Sequence, residues 1–165
     1  MPAPSGYSNL QIVLHWTIAA LVIFQLTVNS GMQAAFNDHL EGREVDEMGW
    51  AILHIGIGLT VLGLAILRLF IRHFRGVPIA HPDNPAFINW IGHATHILLY
   101  GFIFIMPLTG LVAWFGGIEL SAVLHELGRL ILIPAIALHV LGALAEHFVF
   151  HNDSLRRMLT LDRDP

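Results

Sequence analysis

Four stretches of this chain carry almost no charge, and each is long enough to cross a bilayer. They run from Leu10 to about Asn29, from Met48 to Leu67, from Phe87 to about Phe115 and from about Ser121 to Phe150. A spanning helix needs about 20 apolar residues, so all four qualify. No charged residue appears before Asp38; Arg68 and Arg72 close the second stretch, and Gly116 and Gly117 close the third. The fourth is the least pure, with Glu126 and Arg129 near one end and Glu146 near the other. The expected fold is therefore an all-α membrane protein, a four-transmembrane-helix bundle. One domain covers 1–165, with helices over about 9–30, 48–71, 87–115 and 121–150.

Composition narrows the function. Charged residues make 12% of the chain, half the roughly 25% of a soluble domain, and the mean hydropathy is +0.67. A soluble enzyme or a disordered chain is excluded on these grounds. The sequence contains no Cys, which excludes disulfides, thiolate zinc sites and cysteine-held iron–sulfur clusters. A net charge of −4 argues against nucleic acid, which wants a basic face. No P-loop, dinucleotide fingerprint or nucleophile elbow is present. The first stretch lacks a basic leader and is longer than a signal-peptide core, so it reads as a retained helix.

The connections set an orientation. The first, from Gly31 to Glu47, holds Asp38, Glu41, Glu44, Asp46 and Glu47 against Arg43 alone. The second holds Arg68, Arg72 and Arg75 against Asp83, with Pro78, Pro82 and Pro85; the tail holds Arg156, Arg157 and Arg163. Basic residues mark the cytoplasmic side, so both termini are expected there, in a bacterial inner membrane. Trp16, Trp50, Trp90 and Trp114 lie near expected helix ends and suit an interfacial belt. Pro107 and Pro134 fall inside spans and are expected to kink them.

The chain has 11 His against 8 basic residues, all of them Arg. Ionisable side chains inside a span are costly and mark function. His39, His73, His81 and His151 fall in connections or the tail and read as solvated. His15, His54, His93, His96, His125, His139 and His147 fall in or at the ends of spans. His125 and His139 are 14 residues apart, nearly four turns, so they share a face roughly 21 Å apart along the axis. That is too far for one metal ion and suits two stacked cofactors. His15 lies at the depth of His139, and His54 at the depth of His125. Two neutral imidazoles fill the axial positions of a haem. Gly56, Gly58, Gly63, Gly128 and Gly142 offer gaps for a flat group, and Arg129, Arg68 and Arg72 offer cations for its propionates. Two other readings stay open: a bare metal ion, and histidines in a proton relay or purely structural role. As a ligand, His93 or His96 would compete with His15 and His139 at the same depth; His15 with His139 is preferred, because the first and fourth helices are then neighbours across the cofactor.

The pieces Leu10–Trp16, His54 with Gly58, Gly92–Tyr100, His125–Glu126 with His139, and the tail from Asn152 to Met158 stand in a familiar order. The chain resembles the prokaryotic cytochrome b561 family over nearly all its length. The resemblance implies two haem b groups, held by His15 with His139 on the cytoplasmic side and by His54 with His125 on the periplasmic side. It implies electron transfer between a periplasmic donor and ubiquinone, and one activity in the family oxidises superoxide to dioxygen. His96 matches a family histidine at the quinone pocket, to which Glu146 and His147 are added. Where the family has a histidine seven residues after the helix-four ligand, this chain has Glu146. Its acidic outer connection would repel anionic superoxide. The other readings are a cytochrome b subunit of a larger dehydrogenase or hydrogenase, served by a redox partner protein, and a non-redox His-lined metal transporter.

Overall fold

A computed structural model describes residues 4, 6–28, 30–46, 48–78 and 84–161. Asn29, Glu47, His81, Pro82, Asp83 and Arg163 lie outside the described residues. The described residues form helices and no strand: α1 Asn9–Thr27, α2 Ser30–Leu40, α3 Met48–Arg75, α4 Ala86–Gly116, α5 Glu119–Phe148 and α6 Ser154–Leu159. By length and composition α1, α3, α4 and α5 are able to cross a membrane. α2 and α6 were not expected from the sequence.

Local chemistry explains the boundaries. α1 opens on a capping box: Ser8 N–H donates to Gln11 Oε1 at 2.9 Å, and Gln11 N–H donates to Ser8 Oγ at 3.4 Å. Two of the free N–H groups at a helix start are thereby satisfied. α1 ends at Thr27, short of residue 30. α3 runs on to Arg75, past residue 71. Arg is a good helix former with a long apolar stem, and Arg72, His73 and Arg75 in its last turn complement the helix dipole. Gly76 then takes φ +73°, the left-handed conformation that ends helices. Gly117 does the same after α4 at φ +60°, so only Gly117 and Ile118 join α4 to α5. Pro107 and Pro134 sit inside α4 and α5, and both helices continue through them.

The helices pack unequally. α5 packs on α4, α1 on α3, α3 on α4, α2 on α3, and α6 on α5. α5 has no comparable backbone packing with α1 or α3, so side chains must fill or frame the space between them. Ile18, Val61 and Ala65 form one small core with Ile103 and Phe104 beside it. Ala35, Ala51 and Trp114 form another, with Phe36 packed on it, and hold α2 to the bundle. Large apolar side chains such as Trp90 (72%) and Phe115 (74%) are exposed, as a lipid-facing surface requires. Trp16 and Trp50 are also exposed, but Trp114 is buried and is a core residue rather than part of a belt.

Gly128 is a packing residue, not a gap for a cofactor. A Cβ there would lie 2.5 Å from Met106 Sδ and 3.5 Å from Phe102 Cε1. Gly128→Ala should cost about 1 kcal/mol, the low end of overpacking, because the Met106 thioether can swing aside. Thermal unfolding of the detergent-solubilised protein measures it, and an unchanged midpoint would deny the close α4–α5 approach.

Candidate functional site

The space beside α5 is bridged by histidines at two levels. At the end of the bundle that carries α2, His54 of α3 faces His125 of α5, with ring centres 6.0 Å apart and planes at 71°. At the end that carries the start of α1 and the tail helix α6, His15 of α1 faces His139 of α5, also at 6.0 Å and with planes at 68°. All four rings are half-buried. The structure thus brings together both pairs expected from the sequence.

These distances have a chemical meaning. A metal–imidazole bond is about 2 Å, and a ring centre lies about 1 Å beyond its nitrogen. Two axial imidazoles on one metal therefore stand roughly 6 Å apart, centre to centre. No group of three or more His, Cys, Asp or Glu able to hold a metal ion exists among the described residues. A bare zinc ion needs three or four protein ligands. A haem brings its own equatorial nitrogens and needs only the two axial ones, so the paired imidazoles fit haem better than a naked ion.

Ring orientation supports the same fit. His125 Nδ1 lies 2.8 Å from Met106 O, and a carbonyl only accepts, so Nδ1 carries the proton. Thr109 Oγ1 is 3.2 Å from the same nitrogen. The lone pair is left on Nε2, and a hydrogen bond of this kind orients ligating histidines. His54 Nδ1 is buried with no hydrogen-bond partner among the described residues, as is Gln25 Oε1. A buried polar atom without a partner is costly, so both atoms mark the wall of this site as incomplete in the protein alone.

The α2-end pair opens on a cavity of about 360 Å³, a ligand-sized space, lined among others by His54, Gly58, Gly110, Arg129 and Phe36. Gly110 was not singled out from the sequence, yet a Cβ there would lie 3.0 Å from His125 Cε1. A side chain there would crowd that ring, so Gly110 gives it room against α4. Of the glycines expected to make gaps, Gly58 lines the cavity, while Gly56, Gly63 and Gly142 face open space. Arg129, Glu126 and Glu119 also line the cavity.

α2 roofs this end. His39 is exposed, as expected, but it sits on α2 rather than in a loop: its ring stacks on Trp114 at 4.5 Å, and Nε2–H donates to Trp114 O at 2.9 Å. Arg43 pairs with Asp38 at 2.7 Å and also with Glu41. The Asp38 hydrogen bond holds the Arg43 guanidinium above its ordinary pKa. The one basic residue of this connection is thereby neutralised, and its other carboxylates keep the surface acidic.

At the other level His96 of α4 lies 4.9 Å from the His139 ring, and its Nδ1–H donates to Gly92 O at 2.6 Å. That separation is shorter than two axial ligands take. His93 is exposed and joins neither pair. Glu146 accepts from Asn84 Nδ2 at 3.3 Å and lies within electrostatic reach of His96. His147 turns instead to Asn152 O, at 3.4 Å. The Trp16 ring stands edge-on to His15 at 5.3 Å, and its Nε1–H donates to Met158 O at 2.7 Å. The tail helix is thus tied to the residue next to His15. Sequence reasoning missed this tie; the adjacency of Trp16 to His15 was its only signal.

Comparison with known proteins gives the family. A chain from Cereibacter sphaeroides named cytochrome b562 is 31% identical over 159 residues, covering 96% of this chain and 98% of that one. A probable superoxide oxidase CybB of Yersinia pestis is 24% identical over 181 residues, covering 95% and 97%. The family model for prokaryotic cytochrome b561 matches residues 6–161. The chain belongs to the prokaryotic cytochrome b561 family, and is a haem b-binding electron-transfer protein of the membrane.

Proposed function

We propose that the protein holds two haem b groups and passes electrons across a bacterial inner membrane, from a donor at the α2 end to ubiquinone at the end carrying the start of α1 and the tail helix α6, which faces the cytoplasm. The observation that carries this reading is the pair of facing imidazoles at each of two levels, 6.0 Å apart in both cases. His54 and His125 would hold one group, and His15 and His139 the other. Bound haem supplies one-electron storage at each level.

The protein's own residues do the rest. Each imidazole pair would hold its haem from both sides, so donor and acceptor would meet the edge of the site rather than the metal. α2 roofs the α2-end cavity and limits access to it. Arg129, in the cavity wall, offers a cation to an incoming anion or a propionate. At the other end His96 keeps its Nε2 free because Nδ1 donates to Gly92 O. That nitrogen and the Glu146 carboxylate suit proton exchange with a quinone. His147, facing Asn152, is a lesser candidate.

The donor we propose is superoxide, supported by the superoxide oxidase relative. Two superoxide anions lose one electron each and leave as dioxygen. Ubiquinone takes both electrons and two protons to become ubiquinol. The acidic α2 end opposes an anionic donor, so its rate should rise with ionic strength as screening weakens the repulsion.

The test uses the detergent-purified chain. A dithionite-reduced spectrum with a pyridine haemochrome count should give two low-spin b haems that ignore carbon monoxide. Superoxide should then reduce them and yield ubiquinol, faster at higher salt. One haem per chain would break one ligand pair, and none would overturn the reading. Two haems that superoxide cannot reduce would remove superoxide as donor and favour a partner protein.

A further inference from the structure

His54 and Arg68 are 14 residues apart on α3, the same spacing that separates His125 and His139 on α5. Nearly four turns lie between the members of each pair. Arg68 therefore faces the same way as His54, but at the level of His139. α3 gives one site an imidazole and the other a guanidinium.

The surroundings of Arg68 agree. It lies within electrostatic reach of His15, His96 and His139. Nη1 donates to the Tyr100 hydroxyl at 2.9 Å, and the guanidinium carbon is 5.7 Å from that ring's centre. Tyr7, Gln11, Arg72 and Tyr100 line a small recess with it. Gln11 is itself fixed, donating through Nε2 to Gly76 O at 3.0 Å. Arg68 and Arg72 are both half-buried. Among the described residues no carboxylate pairs with either.

A charge inside a span is stable only where something answers it. A guanidinium offers five N–H donors in a planar fork that matches a carboxylate. The Tyr100 oxygen takes one of them, and the recess presents the remainder.

We propose that Arg68, backed by Arg72 and the hydroxyls of Tyr7 and Tyr100, forms an anion pocket for the site at the His15–His139 level, and that its ligand is a propionate carboxylate of the haem held there. This rests on the two-haem reading above. It separates the three candidate cations: Arg68 and Arg72 serve one level, while Arg129 stands in the cavity of the other.

The experiment compares full-length wild type, Arg68→Gln and Arg68→Lys in detergent, by haem count, redox titration and native mass spectrometry. Wild type comes first: fewer than two haems there would overturn the two-haem reading itself, whatever Arg68 does. In Arg68→Gln one haem should be retained roughly 10- to 100-fold less tightly, the usual effect of removing a group behind a ligand shell. It should be the haem that His139→Ala also removes, and any that remains should titrate at a lower potential, because a nearby cation favours the reduced form. The other haem should keep its spectrum and potential, which also reports a folded bundle. Arg68→Lys keeps the charge without the fork, so it should fall between the two. If Arg68→Gln fails to fold, a lowered potential in Arg68→Lys supports the pocket and an unchanged one overturns it. Both haems at wild-type potentials in both variants would overturn the proposal. So would loss of a co-purifying anionic phospholipid with haem unaffected, since the pocket would then bind a headgroup phosphate.

Discussion

Replacing His125 with Ala should lower the haem content from two per chain to one, and His54→Ala should remove the same haem. The two rings face each other at 6.0 Å, and a low-spin bis-imidazole haem needs both. No third imidazole is described in contact with that pair, so nothing nearby replaces either ligand. At the other level His96 lies 4.9 Å from His139. His15→Ala therefore has a substitute imidazole within reach and should show a weaker, spectrally altered haem rather than a clean loss. Pyridine haemochrome counts and low-temperature difference spectra distinguish these cases. Unchanged haem in both His125→Ala and His54→Ala would refute that pairing.

Asn152→Ala should destabilise the fold by about 2 kcal/mol without touching either histidine pair. Asn152 is 4% exposed. Its Nδ2 donates to Asn84 Oδ1 at 3.1 Å, and its Oδ1 accepts from Ser154 N–H at 3.1 Å. Asn84 in turn donates to Asn89 Oδ1 and to Glu146 Oε1. One side chain thus links the start of α4, the end of α5 and the entry to α6. Truncating it strands a buried acceptor and a backbone donor, each worth about 1–3 kcal/mol when left unpaired. A loss near 2 kcal/mol lowers the unfolding midpoint by roughly 4–8 °C in a chain this size. It should also expose the tail after Asn152 to proteolysis. An unchanged midpoint would mean that water replaces these bonds at no cost.

The bundle was legible because apolar length is a direct physical requirement of the bilayer. The pairing of His54 with His125, and of His15 with His139, was legible because helical periodicity and depth place them without further knowledge. Their role as ligands still rests on the two-haem reading. Other features needed neighbours that no spacing reveals. Gly128 looked like room for a cofactor, but Met106 fills that room. Gly110 passed unnoticed because only the His125 ring explains it. α2 was read as an acidic connection because its charges dominate the segment. Yet Met32, Ala35, Phe36 and Leu40 recur at helical spacing, and Met32, Ala35 and Phe36 pack in the core beneath it. His39 and Trp114 each looked like a surface residue alone; stacked together, they close that end of the bundle.

α5 is the one helix that contributes an imidazole to each level, while α1 and α3 contribute one apiece. The separation of the levels is therefore set by covalent rise along a single rod and not by how neighbouring helices settle. A single residue inserted between His125 and His139 would swing the second ring by about 100°, away from His15. The same insertion in the α2–α3 connection would move neither ring pair. Length variation among relatives should accordingly accumulate in that connection and be purged from the interval 125–139, which works as the molecule's ruler for the spacing of the two imidazole pairs.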